Sequence, residues 1–339
     1  MAGLNLPRRF MFAAFLALSS PLSATAAEPS AVVVSIKPLH SLVAGVMAGA
    51  GQPILLLDGT QSPHTYALKP SDAAVLERAP KVFWMGPSLE GFLVAPLKTL
   101  DPVVSVELGQ HLGDLILPSR PESATGHDEH GNHDGHDDSH DTASKDESES
   151  DHHDEHGHSH VDEHGEALPD LHAWLDPQVA SQMVGLIADE LAKADPDGAA
   201  LYRENAAALA VRLKTLDEEL SAMLKPVHER PFIVFHDAYQ YFGRRYDLHW
   251  AGSLSVSPEH PPGARHLSEL REQIEAGKAA CVFAEPQFEP RMVERLVEGT
   301  GAKAATLDPD GGIDLEPGPE AYFQLMRTLA KTFVDCLKG

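Results

Sequence analysis

Between Pro121 and Glu166 the chain is a run of histidines and carboxylates, and that run decides how everything else can fold. It holds 11 of the 20 histidines and 16 of the 51 acidic residues, against one lysine and no arginine. Val161 is almost its only large apolar side chain. Such a segment cannot bury enough surface to offset the entropy of ordering it. The folded body must therefore be assembled from what lies on either side. An unperturbed imidazole, with a pKa near about 6.5, is mostly neutral at neutral pH and free to bind a metal. The tract's imidazoles are His127, His130, His133, His136, His140, His152, His153, His156, His158, His160 and His164, several of them at every third position. That composition reads as a metal-collecting tract rather than an accidental acidic loop.

The tract carries −15 of the formal net charge of −25, which leaves the body mildly acidic and without a basic stripe. Nucleic acid is thereby disfavoured as a partner. At the N-terminus, Arg8 and Arg9 precede the apolar run Phe10 to Leu18 and then Ala24-Thr25-Ala26. This is the layout of an export signal over residues 1–26, cleaved after Ala26 or Ala27. The run is too short to span a bilayer, and no later stretch is long enough. No cysteine follows the cleavage site to carry a lipid. The paired arginines resemble a twin-arginine signal, but their surroundings fit the ordinary secretory route better. The only cysteines, Cys281 and Cys336, are most simply one structural disulfide in an oxidising compartment, worth about 2–4 kcal/mol. A thiolate metal site is the rival, without a near neighbour at ligand spacing.

Outside the tract the chain alternates β-branched runs with helical periodicity. Strands are expected at 31–35, 53–57, 82–85 and 103–106, with helices at 39–48, at 69–78 and from 87 to about 97. This rhythm predicts a mostly parallel α/β lobe over 27–195, interrupted by the tract at 121–166. Asp176 and Pro177 suit the N-cap and first turn of a helix running to Ala194. Leu201, Ala208, Leu209, Leu213, Leu216 and Leu220 then follow helical spacing over 196–225. Such a helix, about 43 Å long, is expected as a rigid strut between lobes that resists wide hinge closure. Strands at 231–235, 280–284 and 304–307, with helices at 237–246, 267–276, 289–298 and 320–337, predict a second α/β lobe over 226–339.

Ligands of open α/β sheets bind beyond the carboxyl ends of the strands. His64 follows the strand ending at Leu57, His236 the one ending at Phe235, and Asp308 the one ending at Leu307; His172 precedes the capped helix. If the strand ends of both lobes face each other, these four groups meet in one interlobe cleft. Three imidazoles with a carboxylate or water suit zinc, whereas manganese favours oxygen. Each histidine alone would pass for a turn or cap residue, and Asp308 for the cap of a 308–311 turn. Glu285 also ends a strand, as a supporting group or a structural turn. His40, His111, His228, His249, His260 and His266 read as ordinary polar surface.

Five stretches carry a family resemblance: Ser62-Pro-His-Thr-Tyr-Ala-Leu-Lys-Pro-Ser-Asp72, Leu171-His-Ala-Trp-Leu-Asp-Pro177, Phe235-His-Asp-Ala-Tyr-Gln-Tyr-Phe242, Cys281-Val-Phe-Ala-Glu-Pro-Gln-Phe288 and Thr306-Leu-Asp-Pro309. Together they resemble the periplasmic zinc-binding receptors of ABC importers, within the metal-binding cluster of solute receptors. The resemblance implies two α/β lobes joined by one long helix, with Zn²⁺ in the cleft on His64, His172 and His236. It implies a Cys281–Cys336 disulfide, a His-rich insertion typical of the zinc branch, and delivery to an inner-membrane ABC permease. Auxiliary periplasmic zinc proteins are further candidate partners, and a monomer is expected. Some zinc receptors have a glutamate just before the first ligand histidine. Here Pro63 stands in that place, which leaves the fourth position to Asp308, water or an imidazole of the tract. A manganese receptor of the same cluster is the runner-up. A secreted zinc hydrolase is the rival from another class, but no His-Glu-x-x-His occurs. A periplasmic metal buffer without a permease is the third reading.

Overall fold

The structure, a computed structural model, describes residues 31–120, 167–255, 258, 262–312 and 314–338. The expected export signal and the His-rich tract, with its eleven histidines, lie outside these residues.

In chain order the first lobe contains β1 (Val33–Val34), α1 (Lys37–Val46), β2 (Ile54–Leu55), α2 (Pro70–Leu76), β3 (Val82–Trp84), α3 (Gly91–Leu97), β4 (Ser105–Glu107) and α4 (Leu108–Leu112). A short antiparallel pair follows, β5 (Leu117–Pro118) with β6 (Pro169–Asp170), whose two strands flank the tract. Helices α5 (Pro177–Ala194) and α6 (Ala199–Leu224) lead to the second lobe. There the order is β7 (Phe232–His236), α7 (Gln240–Arg245), β8 (Trp250–Ser255), α8 (Ala264–Glu275), β9 (Cys281–Ala284), α9 (Arg291–Val297), β10 (Lys303–Thr306) and α10 (Ala321–Leu337). Each lobe is built on a four-stranded parallel sheet, ordered β2-β1-β3-β4 in the first and β10-β9-β7-β8 in the second.

Alternation along the strands decides which residues face the interior. Val34, Phe83, Phe232, Val234, Cys281 and Phe283 point into one large apolar cluster. Their neighbours Val33, Val82 and Trp84, and likewise Ile233, Phe235, Val282 and Ala284, point to smaller clusters on the opposite faces. The large cluster runs through both lobes. Leu209, Leu213, Leu216, Leu220 and Leu224 of α6, spaced by three and four, supply its central stripe. At 26 residues, α6 is about 39 Å long and packs against α5, α1 and α10. It joins the lobes as expected, packed into a core that both lobes share. The Asn205 amide of α6 donates to Val46 O and Ala48 O, each at 2.9 Å, which fixes the end of α1.

The Asp176 cap forms as expected, its carboxylate accepting from Gln178 N at 2.7 Å with Pro177 in the first turn. Cys281 and Cys336 form a disulfide that ties α10 to β9. Among the described residues no helix is long and apolar enough to cross a membrane.

Candidate metal centre

In the second lobe strand order reverses between β7 and β9, the crevice where open α/β sheets take ligands. The register pairs Val234 with Phe283, so two residues further His236 and Glu285 stand side by side on the inward face. Glu285 Oε1 lies 2.6 Å from His236 Nδ1, and both residues are buried. From the first lobe, His172 sits just before α5 and is held by Asp170. That carboxylate accepts from the His172 backbone N at 3.0 Å and lies 2.8 Å from its Nδ1. His64 lies in the loop between β2 and α2, where Ser62 Oγ accepts from its backbone N at 3.3 Å. Of the three rings, His64 alone is partly exposed.

The three rings converge. His64 Nε2 lies 3.3 Å from His172 Nε2, and His236 Nε2 lies 3.4 Å from the same atom. Among the described residues these three supply the one group of ligating atoms all within 4.8 Å of one another. With the Nδ1 protons of His172 and His236 directed at carboxylates, their Nε2 atoms present lone pairs to one another. Such an arrangement is repulsive unless a cation or proton lies between. A tetrahedral ion with Zn–N bonds of about 2.0–2.1 Å sets its nitrogens roughly 3.3–3.4 Å apart, which is the spacing of both other Nε2 atoms from that of His172. The carboxylate behind each ring fixes tautomer and orientation, as in carboxylate–histidine–zinc triads.

Electrostatics separates the rings. Although part of its surface reaches solvent, the ring of His64 is packed among protein atoms; that desolvation, with the charges of His172 and His236, holds it well below the ordinary imidazole pKa and favours the neutral form. Burial pulls His236 strongly toward the neutral form, but the Glu285 carboxylate, with Asp237 and Asp170 behind it, outweighs burial and raises the pKa.

Asp308 does not join the cluster. Its Oδ1 accepts from Asp310 N at 3.0 Å, Gly311 N at 3.1 Å and Gln287 Nε2 at 3.1 Å. It is the cap of its own turn, the use an aspartate before proline and glycine commonly finds. That turn is pinned against the first lobe: Trp174 Nε1 donates to Pro309 O at 3.0 Å, and the buried Lys37 ammonium donates to Gly312 O. Gly59 also meets Gly312 backbone to backbone; a Cβ on Gly59 would stand 2.7 Å from Gly312 O. Both glycines have positive φ, 91° and 52°. His40 is a correction of another kind. Expected at the surface, it is buried on α1 with Nε2 3.1 Å from Pro53 O. Asp170 was not singled out from the sequence; its position two residues before His172 was the available signal.

Residues 32–336 match the periplasmic zinc-uptake complex component A (ZnuA) family. The chain is 45% identical over 340 residues to the high-affinity zinc uptake system protein ZnuA of Brucella abortus (strain 2308), covering 98% of this chain and 99% of that one. This chain belongs to the ZnuA family. The Yersinia pestis protein of the same description is 35% identical over 334 residues, with 98% of each chain covered. Among solved structures, a ZnuA crystal structure superimposes with a TM-score of 0.68 at 24% identity, covering 90% of this chain and 98% of that one. The periplasmic zinc binding protein TroA from Treponema pallidum gives 0.69 at 20% identity, covering 91% and 98%. These two likenesses speak for the two-lobed fold.

Proposed function

We propose that this chain captures Zn²⁺ between its lobes on His64, His172 and His236 and delivers it to an inner-membrane ABC permease. The observation that carries the reading is the convergence of three imidazoles, with the Nε2 atoms of His64 and His236 3.3 and 3.4 Å from that of His172, backed by Asp170 and Glu285. Membership of the ZnuA family supplies the uptake role and the periplasmic setting. It also favours a receptor over a hydrolase. All-nitrogen ligation favours zinc over manganese. In this reading residues 1–26 are an export signal removed on secretion. The lobes comprise 27–195 and 226–339, joined through 196–225, and the mature chain acts as a monomer. The shared core limits capture and release to small lobe and loop shifts. The tract at 121–166 gathers zinc weakly, and auxiliary periplasmic zinc proteins are further partners.

Competition titration of the mature protein with Zn²⁺, Mn²⁺, Cu²⁺ and Ni²⁺ tests the reading. One tight zinc site is expected, preferred over manganese. Deleting residues 121–166 is expected to leave that site and remove the weaker ones. Loss of the tight site on deletion would sink this division of labour.

A further inference from the structure

The described chain before the tract ends at Arg120, and its side chain leaves the first lobe altogether. Nε donates to Asp237 Oδ2 at 2.7 Å and Nη2 donates to Asp237 Oδ1, a two-pronged ion pair across the lobe boundary. The guanidinium plane lies over the Trp250 ring of β8, 3.7 Å from its centroid. Asp237 is buried and directly follows His236. A fork and a plane used together are properties of arginine that lysine lacks.

The other end of this connection reaches His172. Arg120 lies two residues beyond β5, where Leu117 pairs with Asp170 and Pro118 with Pro169. Ser119 N donates to Leu168 O at 2.8 Å, which continues the pairing toward Arg120. Asp170 in turn holds the His172 ring. From the second lobe, Tyr241 OH accepts from Leu117 N at 2.7 Å and donates to Asp170 O at 2.9 Å, bracing both strands. The contacts close a ring: Arg120, Asp237, His236, His172, Asp170 and back through β6 and β5. It crosses between the lobes at the ion pair and again where the two imidazoles face each other.

We infer that Arg120 is a positioning residue for zinc capture, setting the spacing of His172 and His236 through its clamp on Asp237 and Trp250. The inference rests on the zinc site proposed above. With neither a cation nor a proton between them, the two imidazoles repel through their facing nitrogen lone pairs. The clamp opposes their separation before zinc arrives, so part of the ordering is already done when the ion binds. Without it, the ion would have to draw together two ligands that belong to different lobes.

The test uses the full mature chain with Arg120→Ala and Asp237→Asn, the second nearly isosteric so that the packing is kept. Zinc affinity is read by chelator competition at less than one equivalent. Zinc release is followed by stopped flow, and ligand geometry by the visible bands of the cobalt-loaded protein. Both variants are expected to lose about 10-fold or more in affinity, as groups orienting metal ligands commonly do, mainly through faster release. Both should also shift the cobalt bands. Arg245→Ala, which breaks a similar forked ion pair to Asp217, should lower the melting temperature while leaving affinity and bands alone.

If Arg120→Ala does not fold, Asp237→Asn decides. Wild-type release and wild-type cobalt bands in the clamp variants would overturn the inference. If the parent protein shows no tight site abolished by His236→Ala, the underlying zinc reading fails instead.

Discussion

The two lobes share a sheet plan and use its crevice in opposite ways. In the second lobe the reversal point between β7 and β9 presents His236, with Glu285 behind it, to the cleft. In the first lobe the equivalent point between β1 and β3 is filled from within. The Glu90 carboxylate accepts from Met85 N at 2.8 Å, Gly86 N at 2.9 Å and the Ser35 hydroxyl. It is fully buried, and burial pushes its pKa up to about 7. The first lobe instead offers its histidines from irregular segments, the β2–α2 loop and the turn before α5. Topology thus marks where a ligand can bind, and local side chains decide whether the place is kept open. A ligand group on a strand end takes its position from the sheet, whereas one on a loop must be held by other contacts.

The sharpest break of this comparison removes a ligand from each lobe. His236→Ala and His172→Ala should each weaken zinc binding by on the order of 100-fold or more, since one of three nitrogen ligands is lost. Chelator competition measures it; near-wild-type affinity in either would remove that histidine from the site. Next come the carboxylates behind the rings. Glu285→Gln and Asp170→Asn are expected to cost about 10–100-fold each, read in the same titration.

Acid sharpens the contrast, because protons and zinc compete for the same Nε2 atoms. His236 has a raised pKa and His64 a lowered one, so His236 takes up its proton before His64 as pH falls. Zinc affinity should therefore begin to drop above the ordinary imidazole value of about 6.5. Glu285→Gln removes the charge that raises it, and burial then pulls the pKa down. The onset of acid release should shift to lower pH even though affinity at neutral pH is weaker. An unchanged onset would separate acid release from His236.

Smaller effects touch stability alone. Replacing Cys281 and Cys336 with serine should destabilise the protein by about 2–4 kcal/mol in thermal unfolding, with zinc affinity retained. Glu90→Gln keeps an oxygen for the two backbone amides and an amide for Ser35. A stability change within about 1 kcal/mol and no change in zinc binding are expected. A tenfold loss of zinc affinity would make the first-lobe crevice part of the site after all.

Much of this was legible in the sequence where periodicity and chain address coincide. Phe232, Val234 and His236 share one parity, as do Cys281, Phe283 and Glu285, so counting puts His236 and Glu285 on the inward faces of two strand ends, while their meeting follows from the β7–β9 pairing. The Asp176-Pro177 start of α5 and the leucine stripe of α6 were equally plain. Strand β8 was missed because Trp250-Ala-Gly-Ser-Leu-Ser255 carries glycine and serines at the sheet edge, where few large side chains are needed. The β5–β6 pair is two residues per strand with two prolines, and its partners lie on opposite sides of the tract. No local pattern reports such a pairing. Asp308 had the address of a ligand, but address leaves open where a carboxylate points, and here the backbone amides of its own turn claim it. His40 shows the converse: a helical histidine is buried because α1 lies inside the shared core, a fact of tertiary packing alone.

The contact of Gly59 with Gly312 has a kinetic meaning. Side chains rotate in picoseconds to nanoseconds, and many protein entrances open and shut by such swings. Where two main chains touch with no side chain between them, there is nothing to swing. Lys37, bonded to the same Gly312 carbonyl, adds a second fastening. Opening that seam requires whole loops to part, a movement of nanoseconds to microseconds, so the two glycines place the seam's clock with the backbone.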